Sequence, residues 1–566
     1  MIRSARHLCV GLLVALLGTG CDDQSSTGLP QQLADCAFGD ALSLGVGEAS
    51  RAPGNRVLCV SAPAGGEFVL VPFAALARDT LFKASIGVEG GGFVDVGGTA
   101  LTDPITAFTS ERLARFAPTE AFHRELRTAE QEELRFTPAA AGDVVDELDV
   151  MRRQARRAPS AAPPVVGDLL RLSVAASCGV NDPRQGRVMA VSDHAVVVAD
   201  VQNPQPTLTT SDFQAFAQEF DALIEPTVTG LFGAPTDLDD NQRIVLFFTR
   251  GVNEKTPFGG AGVVAGFFWG GDLFPRTDTG RLQGCPSSNL AEVLYLAVPE
   301  PNGEVSGNRL SVDLLREVTP STMGHELQHL INASRRIHIS QADRFEESWM
   351  NEGLSFIAEE ALFYAASGLA PAMNLDTTQV TGSSRVREAF NRYAVDNLGR
   401  YNLYMQAPST SSPVATDRLT TRGAAWSFLR YAADRDPRPD DAFFRDLANA
   451  TGAGLDNLEA RIGEDPVEWM ADWAVSVYAD DLVPDLPPEL QQPSWNTREL
   501  IASLRLDARF PLRLLAVPPG SGFSLTLQPS GAAAYVVFGL ESGGRALLRF
   551  STSDESSIRS TLLRVR

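Results

Sequence analysis

The chain has 566 residues, 44% of them hydrophobic, enough to fill several cores and to exclude a globally disordered protein. Its formal net charge is −22, and such an excess of carboxylates repels phosphates at long range, which argues against a nucleic-acid partner. The length predicts roughly three or four domains.

Arg3 and Arg6 precede the apolar run Leu8–Leu17, which is too short to span a bilayer and reads as the core of an export signal over residues 1–20. The run closes on Leu17-Gly18-Thr19-Gly20-Cys21. Small residues before a cysteine resemble a bacterial lipobox, which implies a lipidated Cys21 that anchors the protein to a membrane of the cell envelope. Gly18 departs from that pattern, where a leucine is usual. Residues 21–33 are polar and read as a tether. Four later cysteines (Cys36, Cys59, Cys178 and Cys285) lack C-x-x-C spacing, so disulfides in an oxidising compartment are expected rather than a cysteine zinc site. Of their three pairings, Cys36–Cys59 with Cys178–Cys285 keeps each bridge within one expected domain.

Residues 34–108 carry short β-type runs, among them Val57–Val60 and Phe68–Phe73, broken by glycine-rich turns at 89–92 and 97–98; a small β-sandwich is expected. Residues 109–167 are charged and alanine-rich, and are expected to form a partly helical segment followed by a linker, Ala158–Pro164. Arg152-Arg153-Gln154-Ala155-Arg156-Arg157 reads as a solvated linker flank, with a processing site behind a pro-region as the sharper alternative. From 168, strands alternate with turns (Val188–Val191, His194–Val198, Ile244–Thr249, Val263–Trp269, Glu292–Val298), and Ser211 is the expected N-cap of a helix over Asp212–Ile224. Helical periodicity runs from 312 to about 480. Prolines at 484, 487, 488 and 493 mark a boundary, and residues 485–566 return to β-type runs, expected as a second small β-rich domain.

The chemistry concentrates in His325-Glu326-Leu327-Gln328-His329, an H-E-x-x-H motif. Four residues along a helix bring both imidazoles to one face, where two ring nitrogens can reach one metal at ~2.0–2.1 Å. Met323, Leu327, Leu330 and Ile331 form an apolar stripe on the other side, and Thr319-Pro320 offers a helix start. Glu326 can then face the metal site without being a ligand. With six histidines in the chain, chance yields roughly 0.004 copies of the motif, so it is read as a zinc site.

Glu347-Ser348-Trp349-Met350-Asn351-Glu352-Gly353-Leu354 opens a second helix, and here the sequence resembles the gluzincin metallopeptidases, with the wording through Asn332 most similar to the hyicolysin family. The resemblance covers about residues 168–480, within a catalytic domain expected over 168–484. Phe232-Gly233 with Asp237-Leu238-Asp239, Phe267-Phe268 with Asp272, and Gly423-Ala424-Ala425-Trp426 also support it. It implies a multidomain α+β protein in which a thermolysin-like catalytic domain, a mixed sheet followed by helices, is flanked by the two β-sandwich-like ends. It also implies Glu352 as third zinc ligand, and a protein or peptide as substrate. A metzincin third histidine is absent, because Asn332 and Arg335-Arg336 occupy that stretch, and His338 is off the pattern and reads as structural. Glu359, seven residues after Glu352, returns to the same helix face and is the candidate to orient a zinc histidine, while Glu346, Glu347 and Glu360 read mostly as solvated.

In the mechanism these residues imply, Glu326 moves a proton from water to the leaving amine, and Tyr401, Tyr404, Tyr431 and Arg422 are open candidates for the oxyanion donor. Asp237-Leu238-Asp239-Asp240-Asn241 begins like a calcium loop, but Gln242 replaces the turn glycine and Phe248 stands where the bidentate acid belongs, so calcium is the lesser reading beside an acidic turn. The expected function is a lipid-anchored zinc endopeptidase. The alternative is a surface-binding lipoprotein whose metallopeptidase-like domain is silent.

Overall fold

The computed structural model describes residues 41–53, 57–75, 82–89, 117–138, 141–156, 164–505 and 507–566, apart from positions 261, 341, 416, 518–520 and 553–557. The export signal, Cys21, the tether, Cys36, the turns beyond Glu89 and most of Ala158–Pro164 lie outside those residues. Among the described residues no helix is long and apolar enough to cross a membrane.

In chain order the elements used below are β1 (Ala49–Pro53), β2 (Val57–Ala62), β3 (Gly66–Ala74), β4 (Phe82–Glu89), α1 (Ala117–Glu133) and α2 (Ala141–Arg156). Then come β5 (Leu169–Ser173), β6 (Pro183–Val191), β7 (Ala195–Asp200), α3 (Thr210–Glu219), β8 (Ile244–Phe248), β9 (Gly266–Phe268) and β10 (Val293–Leu296). The helical part holds α4 (Val312–His338), α5 (Ser348–Ser367), α6 (Val395–Gln406), α7 (Leu419–Arg435) and α8 (Pro466–Ala479). Five strands close the chain: β11 (Leu514–Ala516), β12 (Ser521–Leu527), β13 (Tyr535–Leu540), β14 (Gly544–Thr552) and β15 (Ile558–Arg564).

The two β-rich ends, expected as separate regions, share their sheets. One sheet runs β1-β15-β3-β13-β11 and the other β12-β4-β14-β2, so Val69 near the start of the chain pairs with Leu563 near its end. Between the sheets Phe68 stacks on Phe538 at 5.4 Å, with Leu70, Val536, Leu548 and Leu562 buried around them. Alternation along a strand tells which face is buried but not which strand lies beside it, so the sequence pattern could not join ends so far apart.

The central sheet runs β5-β6-β7-β8-β10-β9. Strands β7, β8 and β10 are parallel, and β9 returns antiparallel to β10 as the outer edge. Ala297 N donates to Ala265 O, which turns the odd-numbered residues of β9 inward and leaves the backbone groups of Gly266 and Phe268 facing out of the sheet. A disulfide joins Cys178 to Cys285, and Cys59 is also disulfide-bonded.

Two helix starts differ from expectation. α4 begins at Val312 behind Ser311, whose side chain accepts from Leu314 N, so Pro320 sits inside the helix rather than at its first turn. The carbonyl that Pro320 leaves without a helical donor, Arg316 O, accepts from Arg392 Nη2 at 2.9 Å, which removes the cost of the missing N–H. α3 begins two residues earlier than read, because Thr209 and Asp212 form a reciprocal capping box that Ser211 cannot.

Candidate metal centre

His325 and His329 leave the same face of α4, and their Nε2 atoms lie 3.2 Å apart. α5 crosses that face and brings the Glu352 carboxylate to 3.6 Å from His325 Nε2 and 3.7 Å from His329 Nε2. Glycines permit the close packing this needs. A Cβ on Gly353 would sit 2.6 Å from Leu429 of α7, and one on Gly423 of α7 would meet the Arg400 backbone of α6 at 2.3 Å. A fourth group arrives from α1, where His123 Nδ1 lies 4.0 Å from Glu352 Oε1. One ligand atom from each of His123, His325, His329 and Glu352 lies within 4.8 Å of all the others. Tetrahedral ligands at ~2.0–2.1 Å from a zinc ion are separated by about 3.4 Å, close to these spacings.

Both Glu352 oxygens and His123 Nδ1 are buried and make no hydrogen bond. Buried polar atoms left this way are costly, and a cation between them removes the cost. Donor chemistry and geometry therefore fit a metal ion.

The outer nitrogens of His325 and His329 are engaged. His325 Nδ1 lies 2.8 Å from Glu359 Oε1, and His329 Nδ1 lies 3.1 Å from Asn351 Oδ1. Arg400 Nη1 approaches the other Glu359 oxygen at 3.6 Å. Glu326 accepts from Phe268 N at 3.0 Å, which ties it to the outward face of β9. Burial raises Glu326 to about 7, although His325 and Arg127 oppose the shift. Burial would raise Glu352 too, but Arg422, His325 and His329 outweigh it and keep the carboxylate ionised. Burial drives His123 down to about 3, so its imidazole is neutral.

The structure thus brings together His325, Glu326, His329, Glu352 and Glu359. Sequence reasoning missed His123, Arg127 and Asn351; the signal for the first two was their i, i+4 spacing on one helix face, in a segment read only as charged and partly helical. His338 is buried away from the cluster with its Nε2 on Leu273 O at 3.1 Å. Glu346, Glu359 and Glu360 are buried, against the expectation that most of these carboxylates are solvated, and only Glu347 is exposed. Tyr401 and Tyr404 stack on each other in the core, and Tyr431 donates to Glu489 O, so none of the three tyrosines lines the cavity beside the cluster. Arg422 does line it, 3.3 Å from Glu352 and held by Asp417. Asp237 and Asp239 lie with Glu292 in a second carboxylate group, but Asp237 accepts from Asn241 N and Gln242 N as an ordinary turn does.

Over 212 residues the chain is 28% identical to the neutral metalloprotease ShpI of Staphylococcus hyicus, a match covering 36% of this chain and 43% of that protein. The matched segment is thus less than half of the relative's length. This similarity supports a metallopeptidase relationship. A scan against protein-family models finds no match.

Proposed function

We propose that this chain is a zinc-dependent endopeptidase with a gluzincin-type, thermolysin-like catalytic domain. The observation that carries the reading is the buried Glu352 carboxylate, without a hydrogen bond, facing two histidines one helical turn apart, with Glu326 beside them. His325, His329 and Glu352 would hold the ion. A zinc ion bound there supplies Lewis acidity and brings the pKa of water toward ~7.

The chain's own residues supply the rest. Glu326, aligned by Phe268 N–H, takes a proton from water at its free oxygen and delivers it to the leaving amine. Glu359 and Asn351 keep the two imidazoles turned with Nε2 toward the site. The outward edge of β9 offers backbone groups with which an extended peptide can pair as an added strand. A cavity of about 130 Å³, with Leu310, Leu314, Val318, Phe356 and Leu419 in its wall, adjoins Glu326 and can take an apolar substrate side chain. Arg422 is the cationic candidate for the oxyanion. Lipid anchoring at Cys21 belongs to the same proposal on its sequence pattern, and loss of membrane fractionation in Cys21→Ser tests it.

One observation favours the silent-domain reading: with His123 the cluster has four protein ligands, as structural zinc sites do. A structural site has no use for Glu326, which supports catalysis instead. The test is zinc content with hydrolysis of unfolded casein. The proposal expects about one zinc per chain in wild type and Glu326→Ala, with turnover lost only in the variant. Zinc-loaded wild type and zinc-loaded His123→Ala that both hydrolyse casein no faster than Glu326→Ala would favour the silent domain.

A further inference from the structure

The fourth group at the site comes from a helix that the reaction does not need. We infer that α1 is an intramolecular inhibitor, with His123 closing the metal's remaining position and the helix covering the substrate edge of β9. This rests on the metallopeptidase reading and adds a latent state to it.

The tautomer of His123 makes the first part of the case. Its Nε2 lies 3.1 Å from Gly266 O, and a carbonyl can only accept, so Nε2 carries the proton. No hydrogen-bond acceptor reaches Nδ1 to take a second proton, so that nitrogen presents its lone pair. That atom is buried, has no donor, and points at Glu352. A lone pair so placed is a ligand atom, oriented through its other nitrogen as metal-bound histidines usually are.

The edge of β9 makes the second part. His123, Arg127 and Glu130 stand at i, i+4 and i+7 on one face of α1. Arg127 Nη2 donates to Phe268 O at 3.2 Å, and Gly270 N donates to Glu130 Oε1 at 2.7 Å. Together with His123 on Gly266 O, the three side chains satisfy the outward backbone carbonyls at 266 and 268 of β9, where an added strand would pair, and the N–H of Gly270 just beyond the strand. Arg127 and Glu130 also pair with each other at 2.6 Å, and all three side chains are buried. An extended peptide cannot reach this edge while α1 is seated.

The helix is also pinned at its end. Cys178 N donates to Glu133 Oε2 at 2.7 Å, which ties α1 to the disulfide-bonded loop. Upstream, β1 to β4 are locked into sheets with the C-terminal strands, so α1 stays tethered when it leaves the cleft. Turnover by the full chain then comes from the fraction of molecules with α1 displaced.

The test compares full-length wild type with His123→Ala. X-ray absorption at the zinc edge counts imidazoles, and titration with a fluorescent peptide hydroxamate reads access to the metal. The inference expects three imidazoles and little hydroxamate binding in wild type, against two imidazoles and on the order of tenfold or tighter hydroxamate binding in the variant. Two imidazoles in wild type, with hydroxamate bound as tightly as by the variant, would overturn the inference and leave the metallopeptidase reading standing. Absence of zinc from both proteins would remove both. If His123→Ala fails to fold, the imidazole count of wild type still decides.

Discussion

Glu359 Oε1 lies 2.8 Å from His325 Nδ1, and this contact turns the opposite nitrogen of the ring toward Glu352. The carboxylate comes from the same helix as Glu352, seven residues further on, so one element both supplies a proposed metal ligand and orients a second one, His325.

Glu359→Gln should therefore weaken zinc binding by roughly 10–100-fold without unfolding the protein, because the amide is a poorer acceptor for the imidazole N–H. Competition with a chromogenic chelator measures this. An unchanged zinc affinity would show that the contact has no influence on the site.

Arg336 is fully buried on α4 and donates to Arg344 O, Gly452 O and Ala450 O while pairing with Glu346 at 3.3 Å. Glu346→Ala leaves that guanidinium uncompensated, at a cost of about 3–5 kcal/mol. Chemical denaturation should show the loss; a change within experimental error would mean that the backbone carbonyls alone suffice.

The disulfide between Cys178 and Cys285 closes a long loop and ties the start of the central sheet to the segment before β10. Replacing both cysteines by serine should lower stability by about 2–5 kcal/mol. Equal denaturation midpoints for the oxidised wild type and the double variant would contradict this.

Burial raises Asp272 to about 7, although Tyr295 and Asn289 donate to it. In the unfolded chain an aspartate titrates near ~3.9. Between those values the folded chain holds the extra proton, so this group's contribution to stability falls as pH rises from about 4 to 7 and is flat above. Asp272→Asn cannot ionise and should gain on wild type in melting temperature between pH 5 and pH 8. A difference that stays constant across that range would refute the assignment.

Features that depend on local spacing were legible in the sequence. The H-E-x-x-H turn of α4 needs only four consecutive steps of one helix, and the strands of the central sheet stand out as apolar runs. Glu352 entered through resemblance, because nothing in its own spacing from His329 selects it over Glu346 or Glu347. Long-range relations were not legible. The pairing of Val69 with Leu563 and the approach of His123 to Glu352 join segments far apart in sequence, and periodicity is silent on partners. Pro320 misled the reading of the α4 start, because the compensating donor, Arg392, lies on another helical segment.

Glu352 is proposed as a metal ligand and Glu326 is not, and this assignment separates two buried carboxylates of one site. Zinc affinity measured by chelator competition on wild type, Glu326→Ala and Glu352→Ala tests it most directly. About one zinc per chain is expected, held equally by wild type and Glu326→Ala, with at least ~10-fold weaker binding by Glu352→Ala. Wild type that binds no zinc, or Glu352→Ala that holds it as tightly as wild type, would contradict it.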